Sequence, residues 1–160
     1  MILAIALGHP SLLERRCEEL AAAEFAGPGL GTFRDALLAA PAEALQTSAA
    51  LAGWLNGAGR GSERERILGS ASRMPDWWCM RPEAAAADAD LALRQSLALH
   101  RRAGALHRDL KLAERSLAAE PNELNLARLL DIKANLADLA DAEAAIDGFG
   151  DLSGRASSAI

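Results

Sequence analysis

The side chains best suited to chemistry in this 160-residue chain are three histidines, two cysteines, an acidic triplet and three tryptophans. His100 and His107 share a helix face two turns apart, which places them roughly 10 Å apart, too far for one metal without a third element. His9 is remote in sequence. No Glu-x-x-His, His-Glu-x-x-His or paired Cys-x-x-Cys occurs, so the di-iron bundle and zinc patterns fail. The histidines therefore read as solvated or ion-paired, and no metal site is expected. Asp88-Ala89-Asp90 has Asp-x-Asp spacing, which elsewhere holds Mg²⁺. On a helix, residues i and i+2 point apart, and acids in a first turn are explained by the helix dipole. Gly57, Gly59 and Gly61 lack the following Lys-Ser/Thr of a phosphate loop, and Gly-x-Ser-x-Gly is absent. Trp54, Trp77 and Trp78 could stack on bases, but they lie beside Leu55 and Met74 and read as core. Cys17 and Cys79 cannot build a disulfide framework and read as single buried or half-buried thiols. No catalytic constellation emerges, and no cofactor is expected.

The elements that would position any site are helices. Ala contributes 37 residues and Leu 27, with no Val, no Tyr, six Ile and two Thr. That composition starves a sheet and favours helix throughout, so the expected fold class is all-α. The net charge of −5 argues against strong direct nucleic-acid binding. Charge is uneven, however. Residues 94–115 carry Arg94, Arg101, Arg102, Arg108, Lys111 and Arg115 against Asp109 and Glu114, whereas 138–151 carry five acids and no base. Such asymmetry can set a docking direction. The apolar start, Met1 to Leu7, lacks a basic flank and is broken by Gly8 and Pro10, so neither a signal peptide nor a membrane span is expected.

Residues 1–95 read as a bundle of short helices. One covers 2–7. Pro10 opens a second, with capping-box spacing from Ser11 to Glu14, running to about Ala23 with Leu13, Cys17 and Leu20 on one face. Thr32 caps a helix through Leu38, another covers Thr47 to Leu55, and Ser62 caps one to about Ser72. After Pro82 the pattern changes. From Glu83 to Glu120 there is no Pro and a single Gly, Gly104, which predicts one long helix with a hinge at Gly104. Pro121-Asn122 break it, and a last helix covers about Asn122 to Ile146. A polar tail, 148–160, follows.

The long helix changes its apolar face. Leu93 and Leu97 lie on one side, whereas Leu99, Ala103, Leu106, Leu110, Ala113 and Leu117 are spaced 4, 3, 4, 3, 4, a seam for a partner helix. Leu129, Ile132, Leu136, Leu139, Glu143 and Ile146 supply the facing seam. The expected architecture is a bundle (1–95) joined by the long helix to a C-terminal antiparallel helical hairpin (96–147). Leu112 lies off the first stripe, Leu126 and Leu130 on one flank of the second, and Leu124 on the other. This surplus must face the bundle, another copy or a different protein.

Two stretches carry a family resemblance. The first is Leu7-Gly8-His9-Pro10-Ser11-Leu12-Leu13 with Leu20, Phe25, Leu30, Phe33 and Leu37-Leu38. The second runs from Leu106-His107-Arg108-Asp109-Leu110 through Lys111-Leu112-Ala113-Glu114-Arg115, turns at Glu120-Pro121-Asn122-Glu123, and ends Leu126-Ala127-Arg128-Leu129-Leu130. Together they resemble the C-terminal helicase-binding domain of bacterial DNA primase (the DnaG type), over residues 1 to about 147. The resemblance implies a non-catalytic piece of a primase whose zinc-binding and RNA-polymerising domains lie upstream. Its partner would be the N-terminal domains of the hexameric replicative helicase, at the replication fork in the bacterial cytoplasm. The hairpin would supply most of the grip, and the bundle would modulate helicase and primase activity. In some relatives the bundle also receives the acidic tail of the single-strand DNA-binding protein. The alternative is the helicase N-terminal domain, which shares the fold, or a self-associating all-α scaffold.

Docking would follow the helix-in-groove mode. The expected apolar contacts are Leu112, Leu117, Leu124, Leu126 and Leu130. The expected rim charges are Arg108, Lys111, Arg115, Glu123 and Arg128, which set orientation and on-rate more than affinity.

Overall fold

A computed structural model describes residues 1–73 and 77–143, with side chains described through 73 and over 78–139. Among the described residues there are eight α-helices, one 3-10 helix and no strand, so the fold is all-α. The chain divides into two compact units, with the division between Leu97 and Ala98.

The first unit is built around α1 (Ile2–Gly8), whose seven residues are all buried. A helix apolar on every side belongs in the middle of a bundle. It packs against α2 (Ser11–Arg15), α5 (Ser48–Gly57), α6 (Gly61–Ala71) and the 3-10 helix Trp77–Met80. Around it Leu12, Leu20, Phe33, Leu37, Leu51, Leu55, Cys79, Leu93 and Leu97 are almost completely buried. Trp54 and Trp78 are half-buried against this core. The last turn of α1 touches the 3-10 helix so closely that a Cβ on Gly8 would overlap the Met80 carbonyl oxygen.

Several boundaries differ from the sequence reading. The helix expected from Pro10 to Ala23 is two helices, α2 and α3 (Cys17–Ala21), separated by Arg16 at φ −121°, ψ 20°. This break turns Cys17 out of the core and leaves it exposed, whereas Cys79 is buried. Ser11 lies inside α2, and no side chain caps that helix. α4 (Leu30–Leu38) starts before Thr32, after Gly29 at φ 79°, a left-handed conformation that glycine adopts without strain. The Thr32 hydroxyl donates back to the Gly29 carbonyl. α6 starts before Ser62 and has no side-chain cap. Thr47 does cap α5, its hydroxyl accepting from the Ala50 N–H at 3.0 Å.

The long helix α7 spans Ala86–Ala119 and α8 spans Glu123–Glu143. In the first unit, α7 buries Ala89, Ala92, Leu93 and Leu97. Its Asp90 carboxylate takes two bonds from the Arg16 guanidinium, at 3.0 and 2.8 Å. In the second unit a separate cluster forms. Ala113, Leu129 and Ile132 are buried in it, with Leu106, Leu110, Leu117 and Leu136 half-buried around them. The last turns of α7 and the α8 residues beyond the short turn at 120–122 share this one cluster, so the two helices fold back on each other antiparallel. The turn is fixed by two asparagines. Asn122 accepts the Asn125 N–H at 2.8 Å and caps α8. The Asn125 amide donates to the carbonyls of Ser116 and Glu120, at 3.3 and 2.8 Å; the first also takes the Glu120 N–H, and the second is an acceptor left open where α7 ends. The expected tail, the seam positions Glu143 and Ile146, and Trp77's side chain lie outside the described side chains.

Candidate interaction surface

Among the described residues, the large hydrophobic side chains left exposed are four leucines, all in the second unit: Leu112 at 52%, Leu124 at 80%, Leu126 at 46% and Leu130 at 57%. Their exposure follows from the seam. Once Leu129, Ile132 and Leu136 face α7, a helix advancing about 100° per residue carries Leu126 and Leu130 to one flank of α8 and Leu124 to the opposite flank. Leu126 and Leu130 are four residues apart and form a continuous apolar edge. Leu112 lies similarly off the α7 seam.

Leu117, expected to join these contacts, is instead half-buried in the hairpin's own cluster. It continues the spacing of Leu106, Leu110 and Ala113, and the seam uses it. The expected rim charges Arg108, Lys111, Arg115, Glu123 and Arg128 are all exposed. Helical backbone passes through Gly104 without interruption, and a Cβ there would have only the Arg108 guanidinium as neighbour, at 3.7 Å.

Several of the chemistry-bearing residues make structural contacts. His9 is buried, and its Nε2 lies 3.1 Å from the Cys79 carbonyl oxygen, so it is neither solvated nor ion-paired as the sequence reading has it. Burial holds its pKa below the ordinary 6.5, against hydrogen bonding to the Cys79 and Arg81 backbone and the charge of Glu83. Exposed His107 bonds the Ala103 carbonyl within its own helix. Asp88 is buried in the first turn of α7, and Arg16 holds the Asp90 carboxyl below the usual carboxylate range. No group of three or more His, Cys, Asp or Glu side chains is arranged to hold a metal among the described residues. A shallow depression of about 270 Å³ in the first unit is lined by Leu68, Ala71, Met80 and Pro82, with Ser72, Arg81 and Glu83 as its polar members. Its hydroxyl, on Ser72, donates to the Gly69 carbonyl at 3.1 Å, and its Glu83 carboxylate lies 3.7 Å from the Arg81 guanidinium. No helix among the described residues is long and apolar enough to cross a membrane.

Sequence reasoning missed the Arg16–Asp90 bridge. The two residues stand 74 positions apart, and only the unexpected break at Arg16 aims the guanidinium at α7. No family model matches the chain, and no curated protein or solved structure is significantly similar to it.

Proposed function

We propose that this chain is a non-catalytic interaction domain of a bacterial DNA primase, which docks primase on the N-terminal domains of the replicative helicase during priming. One observation carries the reading. Among the described residues the bundle leaves no large hydrophobic side chain exposed, whereas the hairpin keeps four leucines in water, beside exposed rim charges. Large apolar side chains rimmed by charge are what a docking face needs. The Leu126–Leu130 edge is the contact that an apolar groove on the helicase would take, and Arg108, Lys111, Arg115, Glu123 and Arg128 would orient the encounter.

The test is co-purification of the chain with a purified bacterial replicative helicase, alongside its N-terminal domains alone. The expected result is a stable complex with both. Absence of a complex at micromolar concentrations of both proteins would overturn the reading.

A further inference from the structure

The two helices of the second unit carry opposite charge on the faces turned away from each other. Taking the direction of the seam residues as zero and about 100° per residue, the α7 charges lying more than about 110° away are Arg101, Arg108, Lys111 and Arg115, all basic. Asp109 and Glu114 fall on the flanks. The same construction on α8 gives Glu123, Asp131 and Asp138, all acidic, with Arg128 and Lys133 on the flanks. All seven outward charges are exposed. Among the described residues, Arg101, Lys111, Arg115, Glu123, Asp131 and Asp138 form no ion pair. A solvated surface ordinarily mixes its signs; here each back face carries one.

The intervals also match. Arg108 and Arg115 are seven residues apart, as are Asp131 and Asp138, a rise of about 10.5 Å in each helix. In one antiparallel alignment Arg108 meets Asp138, Arg115 meets Asp131, and exposed Leu112 falls opposite Ala134, a residue small enough to admit it.

We infer that the occupant of the basic back of α7 is the acidic back of α8 in a second copy of this chain. The two faces point away from each other within one hairpin, so the contact is head-to-tail. It leaves a free face at each end and builds strings of copies rather than a closed dimer. A single pair of helix faces is small, and exposed ion pairs are screened by salt, so the association is weak and salt-sensitive. It shares Arg108, Lys111, Arg115 and Glu123 with the rim proposed for the helicase but not the Leu126–Leu130 edge, so its test is run without helicase and its failure is separate from a failure of that reading.

Two charge-reversed full-length chains test it, one carrying Arg108→Glu and Arg115→Glu, the other Asp131→Lys and Asp138→Lys. Mass is followed by light scattering, with helicity checked by circular dichroism. Wild type should gain mass with concentration at about 20 mM salt and be monomeric at about 500 mM, where the screening length is only a few ångströms. Each variant alone sets like charges against each other at both paired positions and should associate at least about tenfold more weakly. An equimolar mixture of the two should regain the association, because each then meets its opposite. A monomeric wild type at low salt would overturn the inference, including one that instead retards single-stranded DNA. So would variants that assemble as well as wild type, or folded variants whose mixture stays monomeric.

Discussion

Replacing Gly8 with alanine is the smallest change that should undo the first unit. The added methyl would overlap the Met80 carbonyl oxygen and lie 2.7 Å from the carbonyl carbon, both backbone atoms. A flexible side chain could swing aside; a carbonyl in the 3-10 helix Trp77–Met80 cannot move without that helix. The same movement would strain the neighbouring contact between His9 and the Cys79 carbonyl, and would loosen Cys79 and Met80, both buried. Overpacking a well-filled core costs about 1–3 kcal/mol, and a backbone clash belongs at the upper end. For a unit of this size each kcal/mol moves the melting midpoint by roughly 4–8 °C, so about 3 kcal/mol predicts a fall of about 12–24 °C. Gly104→Ala is the internal control. Its methyl would meet only a guanidinium at 3.7 Å, and exchange of glycine for alanine inside a helix favours the helix by about 0.8–1 kcal/mol. Thermal melts followed by far-ultraviolet circular dichroism, with urea titrations for free energies, would measure both. A Gly8→Ala midpoint within about 2 °C of wild type would refute the close packing of α1 on the 3-10 helix.

Two further outcomes follow from buried polar contacts in the same unit. His9 titrates below 6.5 in the folded chain because it is buried, so the unfolded chain takes up the proton first as pH falls. Its contribution is therefore complete above about pH 6.5 and declines below it. Urea midpoints at about pH 7.5 and 5.5 should show the decline in wild type and a smaller one in His9→Gln; equal slopes in the two would contradict the assignment. A double-mutant cycle on Arg16→Ala and Asp90→Ala should give a favourable coupling, for a two-pronged bridge whose side chains are about a quarter exposed. Since Arg16 holds the Asp90 carboxyl down, that coupling should persist at neutral pH and vanish as pH falls through the depressed value. Zero coupling at neutral pH would mean the bridge contributes nothing.

The long helices were readable because their signals are local. Pro82 and Pro121 bracket α7, and the alternating intervals from Leu106 to Leu117 and from Leu129 to Leu136 identify two facing seams without knowledge of the rest. The same pattern singles out Leu112, Leu124, Leu126 and Leu130 as lying off the seam, and they are exposed. Leu117 belongs to the seam by its spacing, and it is half-buried in the hairpin's own cluster. The first unit was harder. Its helices are short, and their limits depend on tertiary partners that spacing does not reveal. The apolar series Leu13, Cys17, Leu20 argues for one continuous helix, yet the chain breaks at Arg16, whose guanidinium reaches Asp90. A histidine in a polar-looking Gly-His-Pro turn gives no local sign that it will be buried against the Cys79 carbonyl.

The proposed docking depends on the hairpin's exposed leucines meeting a helicase. Titration calorimetry of the full chain against replicative helicase, comparing wild type with the Leu126→Asp, Leu130→Asp double variant, tests this most directly. Each leucine is about half exposed and free to bury against a partner. Burying the exposed half of each leucine contributes roughly half of the ~1.5–3 kcal/mol of full burial, so their loss predicts at least about tenfold weaker binding. Helicity should be unchanged, since neither residue belongs to the hairpin's own cluster. A double variant that binds as tightly as wild type would contradict the central claim.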